Sequence, residues 1–577
     1  MRALLPFLAV LLLLLGAAAA WWAAHTGHAA MLGHLNAIAP DGDVESYTAA
    51  FHRRVQANLR MAAIFLALAA AACTVLAVRM RRAPAGAWAR LRTDLRETAA
   101  RYAKRTSPAH KRHVLLLIAA GTALRIWMMC APITYDEAFT WTYYASRPLH
   151  VVLCEYAYPN NHIFHTLWVK LSTLLFTPGL FSLRLPALVA AILFMPAFYL
   201  FVRATFNRYI AVLALALVAA SPVLVEYSAL ARGYSITWLC MAMALLLGRH
   251  LLKEGGRTSA VLLGLVLAVG TWTVPTMVYP ALMVLTWLAV HLLARHGTRG
   301  MAAQAGGLVM AAGVWLAVSA LLYLPVLAVY GSGHLLDHPV LERPDRATFF
   351  RTLGERLLSV HAHLAGGNWA ATRIIALVLC IVAGHHSGRY RALLFAAFCG
   401  SVPLMLLQGQ VAPGRVWLYL VPFAHLGVAI GLFYLLKAVQ EKMLPGWGKR
   451  RRVMQASVVL VPIVAWPLSG PLPEDAVRSP EAREAAAYLH RAMDPGDRAY
   501  TRFPWDAPIE FHAVAEGMDR AWFHRPPVPG GMRFVAVGRD QGQTVAGVLM
   551  HHRADTTGAH RAELVVDLPR LGIFAVR

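Results

Sequence analysis

Residues 114–141 read VLLLIAAGTALRIWMMCAPITYDEAFTW. Residues 114–132 are an apolar stretch long enough to cross a hydrocarbon layer about 30 Å thick. Two adjacent carboxylates, Asp136 and Glu137, follow almost at once. Taken alone, they read as an acidic cap at the water-facing edge of a span, because carboxylates favour helix N-termini. They read also as groups held at the membrane surface to carry out chemistry. The topology of the whole chain decides which reading to follow.

Hydrophobic residues make up 58% of the 577 positions and charged residues 14%, which excludes a string of soluble domains. The formal charge of +25 does not point to nucleic acid. Lys and Arg cluster in short segments between apolar runs, where they mark the cytoplasmic side, and no recognition motif accompanies them. Of the six cysteines, Cys73, Cys130, Cys240, Cys380 and Cys399 lie inside apolar runs, and Cys154 does not. Their spacing predicts neither a disulfide framework nor a zinc site.

Residues 1–24, MRALLPFLAVLLLLLGAAAAWWAA, read as a cleaved signal peptide or a retained anchor, and either reading leaves the later topology unchanged. A second span covers 61–78. The most basic stretch of the chain follows it, up to residue 113, and belongs in the cytoplasm. The span at 114–132 therefore runs outward and delivers Asp136 and Glu137 to the far face. The run IFHTLWVKLSTLLF (163–176) is short, carries Lys170 and is closed by Thr177-Pro178-Gly179. Arg203 and Arg208, and later Lys253 and Arg257, fall together on the cytoplasmic side only if this run does not cross. It reads as an amphipathic helix on the outer surface, which makes 133–184 one outer loop. Beyond it the spans alternate, with a second outer loop at 330–372, to a total of about thirteen. After Pro471 the charge becomes nearly balanced. Helices are expected over SPEAREAAAYLHRAM and QGQTVAGVLMHHR and strands over MRFVAVG and AELVVDL. The fold class is a polytopic α-helical membrane protein with a small C-terminal extramembrane α/β domain. Its parts are 1–112 (two spans and a basic linker), 113–470 (the main transmembrane module) and 471–577 (the outer domain).

This topology gathers rare polar residues at outer span ends: Asp136, Glu137, Glu155, Asn160, Asn161, His162, Arg184, Glu226, Arg232 and Arg415. Ionisable groups at membrane depth are costly unless paired or facing water, so they are functional suspects. Each has a plainer reading as well: turn chemistry for Asn160-Asn161-His162, and snorkelling at a span end for Arg184, Arg232 and Arg415. Together they suggest one reaction. A carboxylate at the outer surface can take a proton from an acceptor hydroxyl, and a guanidinium there can bind a phosphate. A lipid phosphate carrying a sugar meets both demands.

The motif order is an acidic pair in the first outer loop, a juxtamembrane helix opened by NNH, SLRLPAL, SPVLVEYSALARGY, and an outer arginine before WLYLVPF. It resembles the GT-C glycosyltransferases, specifically the protein-mannosyltransferase and aminoarabinose-transferase-like superfamily (glycosyltransferase family 39 and its bacterial relatives), over about 113–440. The resemblance implies Asp136 as the catalytic base with Glu137 supporting it. It implies Arg415 and Arg232, with Arg184 added as a third candidate, at the donor phosphate. Glu155, Asn160, Asn161, His162, Glu226 and Tyr234 are candidates for sugar or acceptor contact. Many relatives open the juxtamembrane helix with Pro-Pro-Leu, whereas this chain has Asn160-Asn161-His162-Ile163. The sugar therefore stays unassigned.

The implied activity is inverting transfer from a polyprenyl-phosphate sugar to a glycan, lipid or protein acceptor. It would take place at the periplasmic face of a bacterial cytoplasmic membrane. No cofactor is expected, and no nucleic acid. His334, Asp337, His338, His361 and His363 in the second outer loop leave a divalent metal open, without a HExxH motif to support one. The rival functions are a lipid flippase or transporter, whose ionisable groups usually sit in mid-membrane repeats, and a non-catalytic membrane sensor.

Overall fold

The computed structural model describes residues 4–39, 44, 47–82, 89, 92–94, 96–97, 100, 104, 106–336, 343–365, 370–443, 449–469, 478–525 and 528–577. It is mainly helical. Among the described residues, seven helices are long and apolar enough to span a membrane, or ten if each bent helix pair counts as one span. About thirteen were expected, and the difference has identifiable causes. Arg257–Thr273 is apolar but short at 17 residues. Pro108–Met128 carries Lys111, Arg112 and Arg125, and Lys449–Ala465 opens on four basic residues. Ile163–Phe176, which was not counted among the thirteen, is a 14-residue helix, about 21 Å long at 1.5 Å per residue and so shorter than the hydrocarbon layer. Among the described residues of 330–372 there is a 20-residue helix at Arg346–Ala365.

Local chemistry sets the helix ends and bends. Ser107 caps Pro108–Met128, with Pro108 in the first turn, where its missing N–H costs nothing. Asn207 caps Arg208–Ala220 by accepting from Tyr209 N and Ile210 N. That helix then bends by 61° into Pro222–Ser228. Pro222 has no N–H to give the carbonyl of Val218 four residues back. Arg125, buried in the neighbouring helix, provides the donor: Nη2 reaches Val218 O at 3.2 Å and Nη1 reaches Ala219 O at 2.9 Å. A guanidinium at this depth persists because each of its three nitrogens donates a hydrogen bond.

The helices pack around one apolar core that includes Phe194, Phe198, Phe201, Trp238 and Trp287. Large apolar side chains also face outward along the bundle, among them Leu12, Trp22, Leu68, Leu116, Ile381 and Leu407. An outward apolar surface of this extent suits lipid as solvent, and the chain is a multi-pass membrane protein.

The boundary expected at 470/471 falls among residues outside the described set, and Arg478 is the first described residue beyond it. The C-terminal domain has a four-stranded sheet in the order β1-β2-β4-β3, with β1 Arg498–Tyr500, β2 Arg533–Gly538, β3 Glu563–Asp567 and β4 Leu571–Val576. β1 pairs parallel to β2, and the other two pairings are antiparallel. Glu481–Ala492 and Val545–His551 are the two helices expected from sequence, while β1, β4 and helix Asp506–Ala515 were not anticipated. The domain docks on the segment that follows Pro108–Met128 and on the helix Pro222–Ser228. Ser479 N donates to Ile133 O at 2.9 Å, and Arg478 pairs with Glu226 at 3.1 Å. Phe511 and Ala507 share a small core with Ile133 and Trp141.

Candidate active site

The acidic motif folds as a short helix, Tyr135–Phe139, closed by a capping box. Thr134 N donates to Glu137 Oε2 at 3.0 Å, and Glu137 N donates to Thr134 Oγ1 at 3.4 Å. The box turns the two carboxylates in opposite directions. Glu137 points inward and has no exposed surface, whereas the Asp136 side chain is 39% exposed.

Glu137 meets Arg184, which is equally buried. Arg184 Nε donates to Glu137 Oε1 and Nη2 to Oε2, both at 2.7 Å, which makes the pair bidentate. Nη1 reaches Met129 O and Ala131 O at 2.7 Å each, and Nη2 also reaches Pro132 O at 3.1 Å. Every nitrogen of this guanidinium is therefore engaged within the protein, so the geometry gives Arg184 the end of the 114–132 segment to hold and leaves no donor for a phosphate. Burial raises the Glu137 carboxyl, but the Arg184 charge and the donors from Ala231 and Thr134 outweigh it and hold it below the usual glutamate range.

Asp136 faces two arginines from distant parts of the chain. Its Oδ2 lies 3.5 Å from Arg232 Nη2 and 3.2 Å from Arg415 Nη1. Arg232 is almost fully buried, and its Nη1 has no hydrogen-bond partner among the described residues. Arg415 is partly exposed, in the helical turn Gly414–Leu420. Two glycines permit this meeting. A Cβ on Gly233 would lie 2.5 Å from Thr273 Cγ2, and one on Gly414 would lie 2.5 Å from His363 Cγ. His363 in turn lies 3.3 Å from the hydroxyl of Tyr227, on the segment that leads to Arg232.

The remaining candidates divide. Asn160 donates to the Asp136 carbonyl at 3.3 Å. Asn161 is buried in the turn, donating to Val152 O and Glu155 O at 2.9 Å and accepting from Thr166 Oγ1 at 3.0 Å. His162 Nδ1 accepts from Gly233 N at 2.9 Å, which puts the proton of the neutral ring on Nε2. Burial, followed by the Arg232 charge, pushes its pKa well below the usual imidazole value. Tyr234 stands edge-on to His162 and, with Arg415 and Trp238, lines a small cleft. Glu155 accepts from Tyr330 and from Ala157 N, and Glu226 holds Arg478, so neither is brought to Asp136 by a contact of its own.

Sequence reasoning passed over two buried groups near Arg232. His165 and Tyr144 have polar atoms with no partner among the described residues. The only signal for His165 was its place one turn after His162. Of the histidine group considered for a metal, Asp337 and His338 lie outside the described residues, and His334 packs on the Tyr330 ring. Beside the Arg415 turn, an apolar cavity of about 400 Å³ is lined by Tyr390, Leu393, Phe398, Trp417, Leu420 and Phe423.

Residues 161–323 match the family model for dolichyl-phosphate-mannose-protein mannosyltransferases. The chain is similar to the crystal structure of ArnT from Cupriavidus metallidurans bound to undecaprenyl phosphate. The TM-score is 0.52 at 14% identity, over 80% of this chain and 97% of that one. Apo ArnT from the same organism matches with a TM-score of 0.50 at 13% identity, over 81% and 98%. The fold is that of the GT-C glycosyltransferases. No curated protein matches the chain by sequence. The matched GT-C segment begins at Asn161, so it contains Arg184 and Arg232, while Asp136 and Arg415 lie on either side of it.

Proposed function

We propose that this chain transfers a sugar from a polyprenyl-phosphate donor to an acceptor hydroxyl, with inversion, at the periplasmic face of a bacterial cytoplasmic membrane. The observation that carries the proposal is the meeting of Asp136 with Arg232 and Arg415. The apolar cavity beside Arg415 suits an isoprenoid chain, and the unspent Nη1 of buried Arg232 suits a phosphate oxygen. The similarity to ArnT, a protein seen with undecaprenyl phosphate, supports the same class of donor.

In this mechanism the donor phosphate takes the place that the Asp136 carboxylate now holds between the two guanidiniums. Asp136 then turns to the acceptor and removes its hydroxyl proton as the oxygen attacks the anomeric carbon. The bond from that carbon to the phosphate oxygen breaks, and its electron pair leaves on the polyprenyl phosphate. Arg415 and Arg232 stabilise the charge that develops there. Glu137 and Arg184 take no part in the bond changes; they set the direction of the helix that carries Asp136.

The test is transfer from a labelled polyprenyl-phosphate sugar in proteoliposomes. Asp136→Asn should insert and bind the donor normally while losing roughly 10²–10⁴-fold in rate. A normal rate would remove Asp136 as the base. Arg415→Ala should weaken undecaprenyl phosphate binding by roughly 10–100-fold, the worth of a charge-assisted contact, and unchanged binding would remove Arg415 from the phosphate site.

A further inference from the structure

A patch of aromatic rings lies open beside Asp136, although burying them would be favourable. Tyr143 is 39% exposed, Tyr158 51% and Phe503 58%. They are mutually organised. Tyr143 stacks on Phe139 at 4.1 Å with 14° between the planes, and Tyr158 stands edge-on to Phe139 at 5.6 Å. Phe503 stands edge-on to Tyr135 at 4.7 Å, and Tyr135 lies 5.8 Å from Phe139. Two structural units contribute. Four rings come from the first outer loop and Phe503 from the C-terminal domain.

The same domain brings a carboxylate to the edge of the patch. Asp506 opens the helix Asp506–Ala515, and its Oδ2 accepts from the Tyr135 hydroxyl at 3.4 Å. Its Oδ1 is enclosed against the start of its own helix, where the backbone N–H groups of Asp506 and Ala507 face the carboxyl. Glu510, one turn on, differs: it is held by Arg520 and by His524 at 3.0 Å. Glu510 thus serves the docking of the domain, whereas Asp506 is part-exposed and offers the patch its Oδ2, held only by the long contact from Tyr135.

Open rings at the edge of a membrane protein are also what an interfacial aromatic belt requires. A part-exposed carboxyl beside the rings argues against lipid contact, because hydrocarbon offers it no hydrogen-bond partner. A pyranose satisfies both halves of the site. Its C–H face packs on an aromatic face, whose quadrupole is negative, and its hydroxyls donate to a carboxylate. Continuity with the chemistry fixes the direction: Tyr135 precedes Asp136 in the chain, and Tyr158 lies two residues before Asn160, which holds the Asp136 backbone.

We propose that Tyr143, Tyr158, Phe503 and Asp506 form a carbohydrate-binding platform that presents a glycan acceptor to Asp136. The C-terminal domain then serves to complete an acceptor subsite. This inference rests on Asp136 as the base and adds the acceptor's chemical class, a hydroxylated sugar.

The test uses full-length protein in nanodiscs and hydroxyl-radical footprinting with three probes, maltotetraose, mannotetraose and chitotetraose. Tyr143, Tyr158 and Phe503 should be oxidised without a probe and protected in a saturable way by at least one of them. Phe503→Ala and Asp506→Asn should each raise the half-protecting concentration roughly tenfold, the order expected for one stacking or one charged contact. Retained undecaprenyl phosphate binding would show that these variants are folded. The proposal is overturned if none of the three probes protects the rings, if the variants are protected as well as the parent, or if the bilayer alone already shields the rings. Protection by a probe in a parent protein that does not bind undecaprenyl phosphate would count against the donor reading and leave the platform standing.

Discussion

Replacing Arg184 by leucine separates a positioning role from a phosphate role. The substitution removes the bidentate contact to Glu137 and the donors to Met129 O, Ala131 O and Pro132 O. Glu137 stays fully buried with only Thr134 and Ala231 as donors. Removing one partner of a buried pair costs about 3–5 kcal/mol, because the other charge is stranded. At 1.4 kcal/mol per factor of ten, local opening of the helix Tyr135–Phe139 should rise roughly 10²–10³-fold. Hydrogen exchange of peptides covering 133–145, measured on detergent-solubilised protein, reads this directly. The double variant Glu137→Leu/Arg184→Leu should recover roughly tenfold of the lost protection: the stranded charge is gone, but Met129 O and Ala131 O still lack the donor that Arg184 gave them, while Pro132 O keeps Arg478. Undecaprenyl phosphate binding should be retained in the single variant. Unchanged exchange at 133–145 together with lost lipid-phosphate affinity would refute the reasoning and return Arg184 to the phosphate.

Gly414→Ala puts a methyl group 2.5 Å from His363 Cγ, so the Arg415 turn must shift. At an overpacking cost of about 1–3 kcal/mol, undecaprenyl phosphate affinity should fall roughly tenfold, and adding His363→Gly, which removes the Cβ at 2.7 Å as well as the ring, should restore it. The Glu137 carboxyl is held below its ordinary value, so its contribution to stability is complete above the unfolded-state pKa of about 4.3 and is lost as pH falls through the lower folded value. Exchange at 133–145 should therefore be flat from neutral pH down to about 4.3 once the intrinsic rate is corrected, then accelerate as pH falls toward the folded value, and a transition near neutrality would be inconsistent with the pairing.

The parts legible in the sequence are those that lipid and charge impose on every chain. A span needs about twenty apolar residues, and basic turns gather on one side. These two rules were enough to locate most of the long apolar helices and to put Asp136, Arg232 and Arg415 at one end of the bundle. Their convergence was not legible, since Asp136 and Arg415 are separated by 279 positions and meet only because Gly414 lets a turn close on His363. Arg184 shows the deeper limit. In sequence, an arginine that spends all its donors on a buried carboxylate and three carbonyls looks the same as one waiting for a phosphate. Only the partner count separates them: Arg184 has none left to give, whereas Arg232 keeps Nη1 unspent beside Asp136. The adjacent pair Asp136-Glu137 divides in the same way. One helical step of about 100° turns one carboxylate to water and its neighbour into the protein. The capping box from Thr134 determines which is which, so the threonine before the acidic pair directs the chemistry without touching it.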